Sequence, residues 1–275
     1  MVLPNFIVPG AMKSGTTALR IYLSQHPEIY VVNKEIHFFD REENFKKGKK
    51  WYEKFFEDWS GEKAIGEKTP GYLYNEKVPE RMYGILPEVK LIFLLRNPID
   101  RAYSHYWHNV REGLEWLSFE EALNKEEERI KNPLGRQIYS YKDMGKYIIQ
   151  IKRFLEFYPK DKMLFLLTED LKENRIDTLK MVLDFLGVDS HFKFVDLNEK
   201  HVGGIPRSLF LTKLVRCEPI KRCGIVREAI KRLNTKRGKI PPMKPETRRK
   251  LGEYFEPFNK ELEKFTGLDL RKWEI

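Results

Sequence analysis

Pro9-Gly10-Ala11-Met12-Lys13-Ser14-Gly15-Thr16-Thr17 is the first stretch of the 275-residue chain whose residue types and spacing could do chemistry. Gly10 and Gly15 permit backbone angles that other residues resist, so consecutive N–H groups can converge on one anion. A helix starting beyond Gly15 would direct its positive dipole end and unpaired N–H groups at the same point. Lys13 adds a full charge, and Ser14, Thr16 and Thr17 add hydroxyl donors. This is a phosphate cradle, but not the nucleoside-triphosphatase loop G-x-x-x-x-G-K-[ST]. Thr16 follows the second glycine where that loop carries lysine, which argues against ATP or GTP hydrolysis. Arg96 is a second candidate anion contact. It follows the strongest apolar run, Lys90–Leu95, at the carboxyl edge where parallel sheets receive ligands, and on these grounds alone a surface salt bridge is the preferred reading of it.

The elements that must position these groups follow from the apolar pattern. Phe6-Ile7-Val8 reads as a buried strand closed by Pro9-Gly10, and Thr16 to His26 as a helix stopped by Pro27. Ile29–Val32, Ala64–Gly66, Lys90–Leu95 and Met163–Leu167 read as further strands, with a helix over about 141–158 before the last. Continuous apolar runs alternating with helices indicate the α/β class: a central parallel sheet flanked by helices in three layers. The stretch 189–245 is irregular and rich in Gly, Pro and basic residues, and helical periodicity returns over 245–265. A single domain over 1–275 is expected, with that irregular stretch as a functional loop region of the same domain rather than a linker.

Composition narrows the class. With 41% hydrophobic and 13% aromatic residues the chain can bury a full core, which excludes disorder as a description of the whole. Two cysteines exclude a disulfide scaffold and a Cys-rich zinc site. The apolar runs are far short of the roughly 20 residues of a membrane helix. Asn5–Val8 is too short for a secretory core, so a cytoplasmic protein without a membrane span is expected if the chain is complete. The formal charge of +10 is uneven: residues 201–250 hold 15 Lys and Arg against Glu218, Glu228 and Glu246. Such a segment calls for an anionic partner: nucleic acid, anionic lipid, a phosphorylated cofactor or an acidic polymer. Stacking aromatics would favour nucleic acid, and Phe210 is the single Phe, Trp or Tyr there, so no nucleic-acid partner is expected.

Five segments, in order, resemble those of sulfotransferases that use 3′-phosphoadenosine 5′-phosphosulfate (PAPS), specifically the glycosaminoglycan branch of N- and 3-O-sulfotransferases. Lys13–Leu19 resembles the 5′-phosphosulfate loop, and Lys34-Glu35-Ile36-His37-Phe38-Phe39-Asp40 the catalytic segment. Gly66–Tyr72 resembles an E-K-T/S-P-x-Y segment, and Leu95–Ser104 a 3′-phosphate-binding strand and helix. Lys236-Arg237-Gly238 resembles a late basic loop that closes on the cofactor. One of these alone is weak; five in order are specific.

The resemblance implies a P-loop-NTPase-like form of the three-layer fold. It also implies PAPS as donor, adenosine 3′,5′-bisphosphate as product, and no metal, since lysines supply the charge. Glu35 would be the general base and His37 its neighbour, orienting Glu35 or the acceptor; in a strand-like segment the two share a face. Lys13 and Lys68 would stabilise charge on the sulfuryl and leaving oxygens. Ser14, Gly15, Thr16, Thr17, Arg96, Ser104, Lys236, Arg237 and Gly238 would complete the cofactor site, and Tyr147, with His37 and Lys68, the acceptor site. The acceptor would be a glycan or a small hydroxyl compound. Cys217 and Cys223 match a cysteine pair bonded in secretory relatives and are expected reduced in a cytoplasmic protein. Two other classes stay open: a P-loop-type nucleotide kinase, and a polyanion- or nucleic-acid-binding protein on a P-loop-like core.

Overall fold

The computed structural model describes residues 2–197, 205–208, 211–212, 220, 223–236 and 240–274. They fall into two compact units. The first comprises Met1–Asn97, Lys146–Glu199 and Pro257–Glu274; the second comprises Pro98–Gly145 and Lys200–Glu256 with Ile275.

The first unit is built on five parallel strands: β1 (Phe6–Gly10), β2 (Ile29–Val31), β3 (Ala64–Lys68), β4 (Lys90–Leu95) and β5 (Met163–Leu167), in the order β2-β3-β1-β4-β5. Residue alternation divides each strand between two buried faces. Ile7, Leu91, Phe93 and Leu95 pack with Tyr52, Met82, Ile148, Ile151 and Phe154. Phe6, Val8, Ile92 and Leu94 pack with Leu19, Leu23, Leu179 and Leu183 on the other side. Helices Lys49–Glu53, Val78–Tyr83 and Tyr147–Leu155 therefore cover one face, and Thr16–Leu23 and Arg175–Leu186 the other. With both faces covered, the carboxyl edge remains for chemistry. Close packing also explains Gly66 on β3, where a Cβ would lie 2.3 Å from the ring of Phe6.

The second unit begins with helix Pro98–Arg111. The single helix expected over about 141–158 is two elements: a 3₁₀ turn at Asp143–Gly145, then Tyr147–Leu155. The buried Glu126 carboxylate accepts the N–H groups of Lys142 and Asp143 (2.8 and 2.9 Å), which caps the turn separately. Burial raises Glu126 to about 7 against those bonds. Part of the stretch read as irregular is helical, Gly224–Asn234, with Ile225, Val226, Ala229, Ile230 and Leu233 at helical spacing among basic residues. A two-residue antiparallel pairing joins Ile205–Pro206 to Thr235–Lys236. Helix Pro245–Thr266 matches its expected span. Among the described residues, no helix is long and apolar enough to cross a membrane.

Candidate active site

The cradle forms where β1 turns into helix Thr16–Leu23. Gly15 has φ of +86°, which requires glycine; Lys13 also lies in the left-handed region, at +70°. The expectation that Gly10 serves by its backbone angle needs correcting. Space is its requirement, since a Cβ there would lie 2.6 Å from Leu73 Cβ. A lysine in a conformation costing roughly 1–2 kcal/mol is held by its surroundings. Arg96 donates to the Lys13 carbonyl at 3.2 Å, and Ala11 N–H to Leu94 O at 2.8 Å. Thr168, just beyond β5, places its hydroxyl 2.6 Å from Ser14 O and 2.8 Å from Leu95 O. No side-chain hydrogen bond caps the helix among the described residues. Ser14 is fully buried, and its Oγ has no hydrogen-bond partner among them. Open amides at a helix start, an orphaned hydroxyl and a lysine fit an anionic oxygen cluster.

Lys68, at the end of β3, reaches the cradle from the side. Its ammonium donates to Glu35 Oε1 at 2.5 Å and to Thr17 Oγ1 at 3.3 Å. Glu35 Oε2 lies 3.4 Å from His37 Nε2, and His37 Nδ1 lies 2.9 Å from Asp40 Oδ2. A chain Lys68–Glu35–His37–Asp40 of alternating charge results. Burial works against the Glu35 carboxylate, yet hydrogen bonds from His37 and Lys68 hold it down at about 2. Burial likewise opposes a charged His37, but Asp40 and Glu35 lift it to about 9. At neutral pH Glu35 is an ionised acceptor and His37 an imidazolium. The pair meets differently from the expected strand geometry: the segment is a loop, and His37 has φ of +54°. Asn44 fixes that loop, donating to His37 O at 3.0 Å.

The sulfotransferase domain model matches residues 3–203 of this chain. The chain belongs to the sulfotransferase family. The chain is 30% identical over 278 residues to heparan sulfate glucosamine 3-O-sulfotransferase 3B1 of Mus musculus, covering 97% of the chain but 64% of that relative. It is 29% identical over 272 residues to heparan sulfate glucosamine 3-O-sulfotransferase 5 of Homo sapiens, covering 98% of the chain and 73% of the relative. The solved sulfotransferase from Alicyclobacillus acidocaldarius superimposes with a TM-score of 0.75 at 31% identity over 99% of each chain. Mouse sulfotransferase SULT7A1, complexed with PAP, shares the fold at a TM-score of 0.53 and 17% identity, over 93% of this chain and 83% of that one.

The first unit gathers Lys13, Ser14, Gly15, Thr16, Thr17, Glu35, His37, Lys68 and Arg96. Tyr147 is also there, 1% exposed, its hydroxyl donating to Arg96 O at 2.9 Å. Ser104 sits half-buried on helix Pro98–Arg111 of the second unit. Lys236 belongs to the short pairing with Ile205, whereas Arg237, Gly238 and Cys217 lie outside the described residues. Cys223 is an exposed free thiol. Among the described residues no group of three or more His, Cys, Asp or Glu is placed to hold a metal ion. Sequence reasoning passed over Asp40, Glu67 and Thr168. The signals for the first two were their positions inside the quoted segments, and for Thr168 its place directly after β5.

Proposed function

We propose that this domain transfers the sulfuryl group of PAPS to a hydroxyl or amino group of a carbohydrate acceptor, with Glu35 as general base. The observation that carries it is Lys68, whose ammonium touches both Glu35 of the catalytic loop and Thr17 of the cradle. Similarity to heparan sulfate glucosamine 3-O-sulfotransferases supports a glucosaminyl acceptor. The cradle of Lys13 to Thr17 would hold the 5′-phosphosulfate, and Arg96 the 3′-phosphate. When bound, the donor supplies an activated sulfuryl group whose leaving group is adenosine 3′,5′-bisphosphate.

The chain's own residues then have defined tasks. Lys13 and the first-turn amides offer positive potential where negative charge accumulates. Glu35 accepts the acceptor's proton at a carboxylate oxygen, and His37, held by Asp40, keeps that carboxylate oriented. Lys68 is shared, so drawing its ammonium toward an anion in the cradle loosens its hold on Glu35. A looser hold makes Glu35 more basic when the anion site is filled.

The test is ligand-induced stabilisation followed by transfer. Adenosine 3′,5′-bisphosphate should raise the melting temperature and ATP-Mg should not. Radiolabelled sulfate from PAPS should then appear on glucosaminyl glycans in a panel that includes small alcohols. Stabilisation by ATP-Mg without stabilisation by the bisphosphate would overturn the proposal. Transfer to the alcohols alone would overturn its carbohydrate part.

A further inference from the structure

Beside Lys68 lies Glu67, a fully buried carboxyl that the proposed chemistry does not use. On a strand these neighbours face opposite ways. Lys68 faces the cradle, and Glu67 lies under the catalytic loop. Three hydroxyls converge on it: Tyr52 from helix Lys49–Glu53 at 2.6 Å, Thr69 at 2.8 Å and Tyr72 at 3.2 Å. Two of these also receive amides from the loop. Ile36 N–H donates to Thr69 Oγ1 at 3.2 Å, and Phe38 N–H to Tyr72 Oη at 2.9 Å.

Proton directions follow from counting. Each hydroxyl carries one hydrogen. The Thr69 and Tyr72 oxygens accept loop amides, and their hydrogens point at Glu67, which as a carboxylate can accept all three. A protonated Glu67 would need an acceptor of its own and would turn one hydroxyl around. We propose that Glu67 is a positioning residue for catalysis: by accepting from Thr69 and Tyr72 it orients both hydroxyls to hold the Ile36 and Phe38 amides that bracket His37, next to Glu35. This rests on the proposed role of Glu35.

The charged and titratable groups facing Glu67 are Tyr52, Tyr72 and Asp40. Burial is the largest influence, raising the carboxyl; the three hydroxyls pull it down and Asp40 pushes it up, leaving it at about 7. Its ionisation therefore falls in the working range, and loop order should depend on it.

Glu67→Gln tests this, because an amide presents one acceptor oxygen and an NH₂ that must donate. Hydrogen exchange at the Ile36 and Phe38 amides should quicken about tenfold while the cradle peptide is unchanged. The turnover number should fall about tenfold or more, with bisphosphate affinity kept within about twofold. Wild-type turnover should decline below about pH 7, a limb missing in Glu67→Gln. Unchanged exchange at both amides, turnover falling in step with bisphosphate affinity, or a retained pH limb would each overturn the role. If Glu67→Gln does not fold, Tyr72→Phe removes the acceptor for Phe38 N–H together with one of the three donors to Glu67 while leaving Thr69 in place, and faster exchange at the Phe38 amide but not at Ile36 is required. Exchange needs no turnover. It decides the loop contacts even if transfer to glycans fails, and so separates this proposal from the one it rests on.

Discussion

Replacing His37 by Asn should remove a pH-dependent part of the protein's stability. His37 is 22% exposed at its side chain, so its interactions are only partly screened. Burial opposes its charge, but the Asp40 contact at 2.9 Å and the Glu35 contact at 3.4 Å lift it from 6.5 to about 9. That gap corresponds to about 3 kcal/mol of coupling between folding and protonation. Folding raises this basic group, so the stabilisation is complete below 6.5 and disappears as pH climbs through about 9. Asn tolerates the left-handed backbone at this position, so the substitution removes charge without adding strain. Urea unfolding of both proteins at about pH 6 and about pH 9.5 gives the quantity directly. Wild type should exceed His37→Asn by about 3 kcal/mol more at the lower pH than at the higher. Other groups titrate in this interval, and the difference between the two proteins cancels them. A stability difference that is constant with pH, or that grows as pH rises, refutes the coupling. The imidazole resonances of His37 give a second reading and should titrate near 9.

Three further outcomes follow from the site. Glu35→Gln should keep bisphosphate affinity in a calorimetric titration and lose transfer by about 100-fold or more; an active variant would remove Glu35 from the base role. Thr168→Val removes the one hydroxyl hydrogen shared between the Ser14 and Leu95 carbonyls, so unfolding experiments should show a loss of about 1–3 kcal/mol. Its bisphosphate affinity should fall as the cradle loosens. Gly10→Ala forces a methyl to within 2.6 Å of Leu73 Cβ and should cost about 1–3 kcal/mol in the same assay, although Ala is compatible with its backbone region.

The sheet was legible because its central strands are buried on both faces and read as unbroken apolar runs, Lys90–Leu95 above all. The cradle was legible because two glycines, a lysine and three hydroxyls at that spacing have one obvious use. Glu35 and His37 carry no such signal by themselves; only the resemblance of their segment marked them. Thr168 was hidden because its importance depends on β5 lying beside β4, a pairing between residues more than sixty positions apart. Glu67 was hidden by its type, since an acid in a short strand suggests solvent until Tyr52 and Tyr72 are seen to enclose it. Helix Gly224–Asn234 was masked by the Lys and Arg interleaved with its apolar positions.

Strand β3 carries two incompatible electrostatic tasks on consecutive residues, and this makes its alignment a requirement of function. A slip of one position would exchange the two. The carboxylate would then repel any anion in the cradle, and the ammonium would be sealed beneath the loop among tyrosines. No side-chain adjustment repairs that exchange, so the strand must be locked against sliding. Gly66 is the lock. It pairs with Val31 on one side and Phe6 on the other, and the Phe6 ring occupies the space a side chain would need. A bulkier neighbour brought into that place by a slip would collide with the ring. One missing methyl group thus sets which face of the sheet is negative and which is positive.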